Sequence, residues 1–171
     1  MEYTKLEDLS KETLTKLAKM YSKNWQTLDG LWFRNVENQY GLEAAVELDL
    51  KMWEEQSKIE ARRIKEALEI TQGGLTNILK VLSFMSWQLT TPLFECEEET
   101  PGRIVFHYSR CPVQEGRRRQ DKKEFPCKFM KTRLLSNLAR EIEPRAELRC
   151  FFCPPDQHPE GSWCKWELIM R

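Results

Sequence analysis

Four cysteines have the types and spacing of metal ligands. Cys150 and Cys153 form a C-x-x-C pair, and Cys164 follows eleven residues later. Thiolates at such spacings bind zinc in tetrahedral sites with four ligands. We predict that Cys127, which lies in the segment F-P-C-K, supplies the fourth sulfur. Zinc is the predicted metal, and an iron-sulfur cluster is the alternative.

Two alternatives stay open for these cysteines. Cys111 and His158 are further candidates for the fourth ligand, and all of the thiols could instead be reduced and buried. Four thiolates would close the coordination sphere, so the predicted site is structural rather than catalytic. Cys96 is expected in the core.

Aromatic and acidic residues recur at helical spacing in the N-terminal third of the chain. Rings provide stacking area and a few polar groups orient a ligand, so this pattern favours a pocket for a small organic molecule, aromatic or carboxylate-bearing. Core packing is the other explanation of such a pattern. Asn24 and Asp29 lie nearby in sequence. The predicted ligand-binding residues are Trp25, Trp32, Phe33, Glu37, Tyr40, Asp49 and Trp53.

An enzymatic role has weaker support, and whether the protein is an enzyme stays open at this point. The chain has two histidines, His107 and His158, and neither lies in a triad motif. There is no G-x-S-x-G, no glycine-rich phosphate loop and no H-E-x-x-H. If the protein is a hydrolase, the candidates for its catalytic residues are Cys111 with His158 or Asp156.

The charge balance does not favour a nucleic-acid partner. The chain has 27 Lys and Arg against 27 Asp and Glu, so its formal net charge is zero. The segment 115–123, E-G-R-R-R-Q-D-K-K, is basic but carries no aromatic residues, and a solvated loop is the favoured interpretation. A small anion held by Arg110 and residues 117–119 is a further option.

The sequence also bears on compartment and assembly. The first nine residues carry acids where a secretion signal needs a basic start, and the most apolar stretch, 75–89, contains Lys80 and is short for a bilayer span. We therefore expect a cytoplasmic protein with no membrane partner, in which six cysteines stay reduced or bind metal. Exposed strand edges favour a homodimer.

Apolar periodicity predicts one α+β domain over 1–171, with a helical part at 1–90 and a second part at 91–171. Four N-terminal helices are predicted, with a break at Asp29-Gly30 and later breaks at Gly41 and Gly73-Gly74. A β-hairpin turning at Pro101-Gly102 follows, then a polar connection, a fifth helix and the cysteine-rich hairpin. The expected architecture is a small antiparallel sheet covered by helices on one face. The predicted helices span 6–28, 31–40, 42–70, 75–89 and 129–142.

The late cysteines and the C-x-aromatic-Glu ending resemble the 4-vinyl reductase domain superfamily. The matching residues are Cys153, Asp156, Cys164, Trp166 and Glu167, although the superfamily has Gly-Asp where this chain has Pro-Pro-Asp. The resemblance implies zinc held by three cysteines and one acid, with Cys150 in the place of the acid. It also implies a small-molecule pocket between helices and sheet, as in related sensor proteins, and a homodimer.

Over nearly its whole length the chain is similar to an uncharacterised bacterial and archaeal family described as similar to L-2-amino-thiazoline-4-carboxylic acid hydrolase. The similarity implies the same fold and, as an alternative function, a small cysteine-dependent hydrolase. Fold alone does not fix function, so the activity stays an expectation. The segments that carry the similarity are 28–33, 111–114, 124–128 and 143–159.

Overall fold

Three helices form the N-terminal part of the protein. The computed structural model describes residues 5–90 and 94–171, so the predicted junction at 91 and the first four residues lie outside the described part. A 3-10 turn at Leu6–Asp8 precedes α1 (Lys11–Tyr40), α2 (Leu42–Ala67) and α3 (Leu75–Ser83). The Ser10 side chain accepts a hydrogen bond from the Thr13 backbone and fixes the start of α1.

The prediction of a helix break at Asp29-Gly30 is wrong, because α1 continues through both residues as one helix. A glycine inside a helix costs only about 1 kcal/mol relative to alanine. Packing of α1 along α2 outweighs that cost, since tertiary contacts supply most of the stability of a helix. The chain reverses instead at Gly41, whose φ of 86° suits a residue without a side chain.

The second part is an antiparallel sheet with two helices. Its strands lie in the order β1 (Glu95–Glu99), β2 (Arg103–Tyr108), β4 (Cys164–Met170), β3 (Ala146–Phe152). The α+β class and the two hairpins are therefore as predicted. A short helix α4 (Pro112–Arg118) and helix α5 (Lys128–Ile142) lie between β2 and β3.

Helix α4 replaces the polar connection that the sequence predicted between Cys111 and Cys127. Pro112 stands in its first turn, where the missing backbone N–H is no loss, and Gln114 and Arg117 are buried on its inner side. Arg117, one of the basic residues that made this segment look like a solvated loop, therefore belongs to the protein interior.

The core lies between α5, α3 and one face of the sheet. Phe106 pairs with Trp166 and Ile104 with Leu168 across β2 and β4, and all four side chains are fully or almost fully buried. Leu138 of α5 packs in the same core cluster. This packing fixes the ends of β2 and β4, from which the candidate site is built.

Cys96 is exposed, contrary to the prediction that it is a core residue. It lies on the edge strand β1, which is exposed along most of its length. None of the helices in the described ranges is both long and apolar enough to pass through a lipid bilayer.

Candidate functional site

A cavity of about 690 Å³ lies between the N-terminal helices, α4, α5 and the sheet. This volume is within the range of natural small-molecule pockets. Its wall comes from α1 and α2 on one side and from α4, α5 and the ends of β2 and β4 on the other. Tyr108 and Cys164, which are paired across β2 and β4, both line it.

Two carboxyl groups line the part of the cavity formed by α1 and α2. Asp29 follows Trp25 by one helical turn, and Asp49 precedes Trp53 by one turn, so each acid shares a helix face with an indole. Burial, together with the nearby charge of Asp29, raises the pKa of Asp49 to about 7. Burial also raises the pKa of Asp29 to about 6. Neither Oδ1 atom has a hydrogen-bond partner.

Three indoles form a continuous aromatic series along the cavity. The ring centroids of Trp25 and Trp53 lie 5.0 Å apart, and those of Trp53 and Trp87 lie 4.9 Å apart, both with edge-to-face geometry. The Nε1 atom of Trp87 is buried without an acceptor. The wall therefore offers ring faces, two acceptor oxygens and one donor to any molecule inside the cavity.

An ion-pair cluster ties α1 to the segment after β2. The Arg117 guanidinium donates to both carboxylate oxygens of Glu37, at 3.2 and 3.1 Å, and Lys122 donates to the same carboxylate at 2.9 Å. Burial, the largest single influence on the pKa of Glu37, would raise this pKa, but the hydrogen bonds and charges of Arg117 and Lys122 together lower it. The carboxylate of Glu37 is thus already paired by groups of the protein itself.

Gln114 holds the adjacent loop in place. Its amide donates to the Phe125 carbonyl at 2.8 Å and accepts from the Phe125 N–H at 2.9 Å. The Phe125 ring then meets the Phe33 ring edge-to-face at 5.2 Å. Helix α4 closes this side of the cavity by these contacts.

Lys131 and three cysteines form the opposite wall. The Lys131 ammonium lies 5.0 Å from the centre of the Trp87 ring and 4.7 Å from that of Tyr108. Burial alone would lower the pKa of Lys131, but Tyr108 and the nearby cysteine thiols raise it overall. Lys131 therefore supplies a positive charge next to sulfur atoms. The cysteines on this wall are Cys111, Cys127 and Cys164.

The predicted metal ligands are partly brought together. The sulfur atoms of Cys127 and Cys153 lie 3.5 Å apart, close to the separation of about 4 Å expected for two thiolates on one zinc. A hydrogen bond with Cys153 lowers the pKa of Cys127, and one with the same residue lowers that of Cys164. These three sulfurs therefore share one neighbourhood.

Bonds around Asp156 fix this corner of the protein. Its carboxylate accepts from the Cys153 N–H at 3.2 Å and from the Lys128 ammonium at 2.7 Å. The Lys128 N–H in turn donates to the Pro154 carbonyl at 2.9 Å. These bonds place Cys127, at the start of α5, against the loop that carries Cys153.

Cys150 lies near this group but is only half-buried. Burial raises its pKa to about 11, Lys128 acts against this rise, and Asp156, Cys164 and Cys127 add to it. Among the described residues, no group of three or more His, Cys, Asp or Glu side chains has donor atoms arranged to hold a metal ion. The thiols are neighbours without forming a finished coordination sphere, and the four-cysteine site stays a prediction.

Five of the seven predicted ligand-binding residues line the cavity. Trp32 and Tyr40 do not, and their side chains are 43% and 64% exposed. Because α1 is continuous, Trp32 is turned about 100° from its neighbour Phe33, and Tyr40 lies about 10 Å further along the axis. The five that line the cavity are Trp25, Phe33, Glu37, Asp49 and Trp53.

The predicted set of ligand-binding residues omitted several wall residues, although Asp29 was noted as a neighbour in sequence. The sequence signal for Asp29 is its position four residues after Trp25, which places both on one helix face. Asp49 and Trp53 have the same spacing in reverse order on the neighbouring helix. Lys131 precedes Leu134 and Leu135 by three and four residues, so it lies on the apolar stripe of α5. Trp87 follows the end of α3, where no periodic pattern marks it.

The catalytic candidates are not assembled as a nucleophile and base. Burial raises the pKa of Cys111 to about 12, which keeps it a thiol at neutral pH. His158 contacts Glu124 and the Pro159 carbonyl, and Asp156 is paired with Lys128. Within 94–171 no hydrogen bond joins Cys111 to either of them.

Comparison with known families identifies one match. The model of a family described as "Family of unknown function (DUF6125)" matches residues 6–170. No curated protein matches the chain. No solved structure matches it either.

Proposed function

The chain belongs to this family of unknown function, and we propose that it is a cytoplasmic, sensor-like domain that binds a small organic molecule in the cavity between its helices and sheet. The observation that carries the proposal is the cavity itself, about 690 Å³ and lined by three indoles. The cavity opens to solvent past exposed residues such as Leu31, Arg34 and Val113, and a cleft of this size that is lined by indoles and by buried polar atoms without partners favours a ligand.

The contacts around the cavity support binding more than catalysis. The charged groups of Arg117 and Lys122 pair with the Glu37 carboxylate, and Gln114 forms hydrogen bonds with the backbone of Phe125. These polar groups therefore stabilise the wall of the cavity. Enzymatic hydrolysis needs an activated nucleophile next to a base, and Cys111 lacks both features. Hydrolysis is therefore the weaker alternative.

We further propose that the cysteine cluster holds zinc and stabilises the wall formed by α5 and β4. The donor set suits zinc, since the Cys127 and Cys153 sulfurs are already 3.5 Å apart and Cys164 is adjacent. Four thiolates on a divalent ion carry a net negative charge, which the neighbouring Lys128 and Lys131 ammonium groups would balance. Bound zinc would supply folding energy rather than chemistry.

Calorimetric titration with three small probes tests binding in the cavity: 2-phenylethanol, phenylacetate and 2-phenylethylamine. Gly30 lines the exposed edge of the cavity, and a Cβ at this position meets open space, so Gly30→Phe places a ring at the mouth of the cavity while improving helix propensity. Gly30→Ala is the matched control. We expect at least one probe to bind the parent and the Gly30→Ala protein with one site and to lose binding to Gly30→Phe.

Two results would overturn the proposal. One is that none of the three probes binds the parent chain. The other is that a probe binds Gly30→Phe as tightly as it binds the parent, since the binding site would then lie outside the cavity.

A further inference from the structure

Asp29 and Asp49 form an acidic corner of the cavity, and one oxygen of each carboxyl group has no partner. The Asp49 residue is only 5% exposed, and its Oδ1 atom is inaccessible to solvent. A buried polar atom without a partner costs free energy, which is why most such atoms in folded proteins are paired. The corner therefore lacks the donor that would satisfy it.

No group of the described chain neutralises this corner. Among residues 5–90 and 94–171, neither aspartate forms an ion pair, and no basic side chain lowers the pKa of either. Arg117 and Lys122 bind Glu37 and Arg110 binds Glu115, while the Lys131 ammonium lies against the Trp87 and Tyr108 rings beside cysteine thiols on the opposite wall. A bound cation would supply the charge that no basic side chain of the described residues brings to Asp29 and Asp49.

The surroundings of the corner suit a cation. Trp25 and Trp53 lie one helical turn from Asp29 and Asp49, and their rings are in contact at 5.0 Å between centroids. Indole faces attract cations through their quadrupole, most strongly when the cation is removed from water. A carboxylate and an indole on each of two adjacent helices therefore surround one position with groups that favour positive charge.

We propose that the cavity selects ligands that carry a protonated nitrogen, an amine or amidine on a compact apolar or aromatic body, with the nitrogen held by Asp29 and Asp49 and covered by Trp25 and Trp53. The inference rests on the proposed function, because it names the ligand class of the same cavity. Two N–H groups of one such nitrogen would satisfy both orphaned oxygens.

The same three probes test this selectivity, because they share a phenyl body and differ in charge. We expect 2-phenylethylamine to bind the parent chain at least tenfold more tightly than 2-phenylethanol, and phenylacetate to bind more weakly than either. Asp49→Asn and Asp29→Asn should each reduce amine affinity at least tenfold and leave the affinity for the alcohol within threefold. Glu43→Gln removes an exposed carboxylate on the same helix as Asp49 and should change nothing.

The outcomes separate the two proposals. If all three probes fail to bind, the cavity is not a binding site and both proposals are overturned. If the alcohol or phenylacetate binds as tightly as the amine and Gly30→Phe abolishes that binding, the cavity binds ligands but selectivity for nitrogen is wrong. Equal loss of amine and alcohol affinity in the Asp49→Asn and Asp29→Asn proteins would also overturn it, because the carboxyls would then act only on structure.

Discussion

Replacing Asp49 by Asn should make the free protein more stable at alkaline pH, although Asp49 lies in the proposed ligand site. The pKa of this buried carboxyl rises from 3.8 to about 7, through burial first and the charge of Asp29 second. Each pKa unit corresponds to about 1.4 kcal/mol, so holding the ionised group inside the fold costs on the order of 4 kcal/mol.

The pH window follows from the direction of the shift. Below about pH 4 both the folded and the unfolded chain bind the Asp49 proton, and the residue contributes no penalty. As pH rises from about 4 to about 7 the unfolded chain loses this proton while the folded chain keeps it, so stability falls. Above about pH 7 the penalty is complete and constant. Asn carries no charge and removes this decline.

Urea unfolding at pH 5 and pH 8 measures the effect in the parent, Asp49→Asn and Glu43→Gln proteins. About 1.6 kcal/mol of the penalty is present at pH 5, so the stability of Asp49→Asn relative to the parent should increase by about 2 to 3 kcal/mol between the two pH values. Glu43→Gln should show no such increase, since Glu43 is exposed. If the difference between Asp49→Asn and the parent is the same at both pH values, Asp49 is not a buried ionised group and the argument for the acidic corner fails.

Three further predictions concern the cysteine cluster and the charged wall. Stoichiometric zinc should be recovered from the folded protein. A chelator should lower the melting temperature of the parent and of Cys96→Ser but have little further effect on Cys164→Ser. If the melting curves are unchanged and no metal is recovered, packing alone holds the cysteine-rich hairpin. Arg117→Met should cost about 1.5 to 3 kcal/mol in urea unfolding because it removes two hydrogen bonds to the largely buried Glu37 carboxylate and leaves Lys122 as its partner. Arg119→Met, at a side chain that is 75% exposed, should cost at most about 1 kcal/mol. Filter binding should detect no salt-sensitive, submicromolar affinity for DNA or RNA, because the formal net charge is zero and Arg117 and Arg119 pair with Glu37 and Glu115, and such an affinity would refute this.

The sequence predicted the elements whose apolar period was undisturbed. The alternate residues that predicted the strands around Phe106 and Trp166 are buried, and both hairpins formed where they were predicted, although Val105 and Glu167 between them are buried as well. The break in α1 was predicted wrongly because a glycine inside a helix and one at its end look alike in sequence. The backbone conformation distinguishes the two cases, since Gly30 lies inside α1 whereas Gly41 ends the helix with a φ of 86°.

The candidate site was harder to predict, because its walls come from distant segments. Local spacing placed Trp25, Phe33 and Trp53 on inward faces, and these residues do line the cavity. Nothing local indicates that Arg117 pairs with Glu37, eighty residues earlier, so the basic segment was interpreted as a solvated loop and α4 was missed. A cation buried by a partner far along the chain has the same local sequence as an exposed one.

The buried carboxyl groups of Asp29 and Asp49 lower the stability of the free protein, and packing alone does not require acids at these positions. An amide side chain at Asp49 would remove the ionisation penalty and keep an oxygen that accepts a hydrogen bond from Trp53. A buried carboxylate that costs the free protein stability is expected where a bound partner returns that energy. A protonated nitrogen between Asp29 and Asp49 would do so, because it would supply the absent charge and both missing hydrogen bonds. The same carboxyl should therefore destabilise the free protein and stabilise the complex, and Asp49→Asn should reverse both effects together.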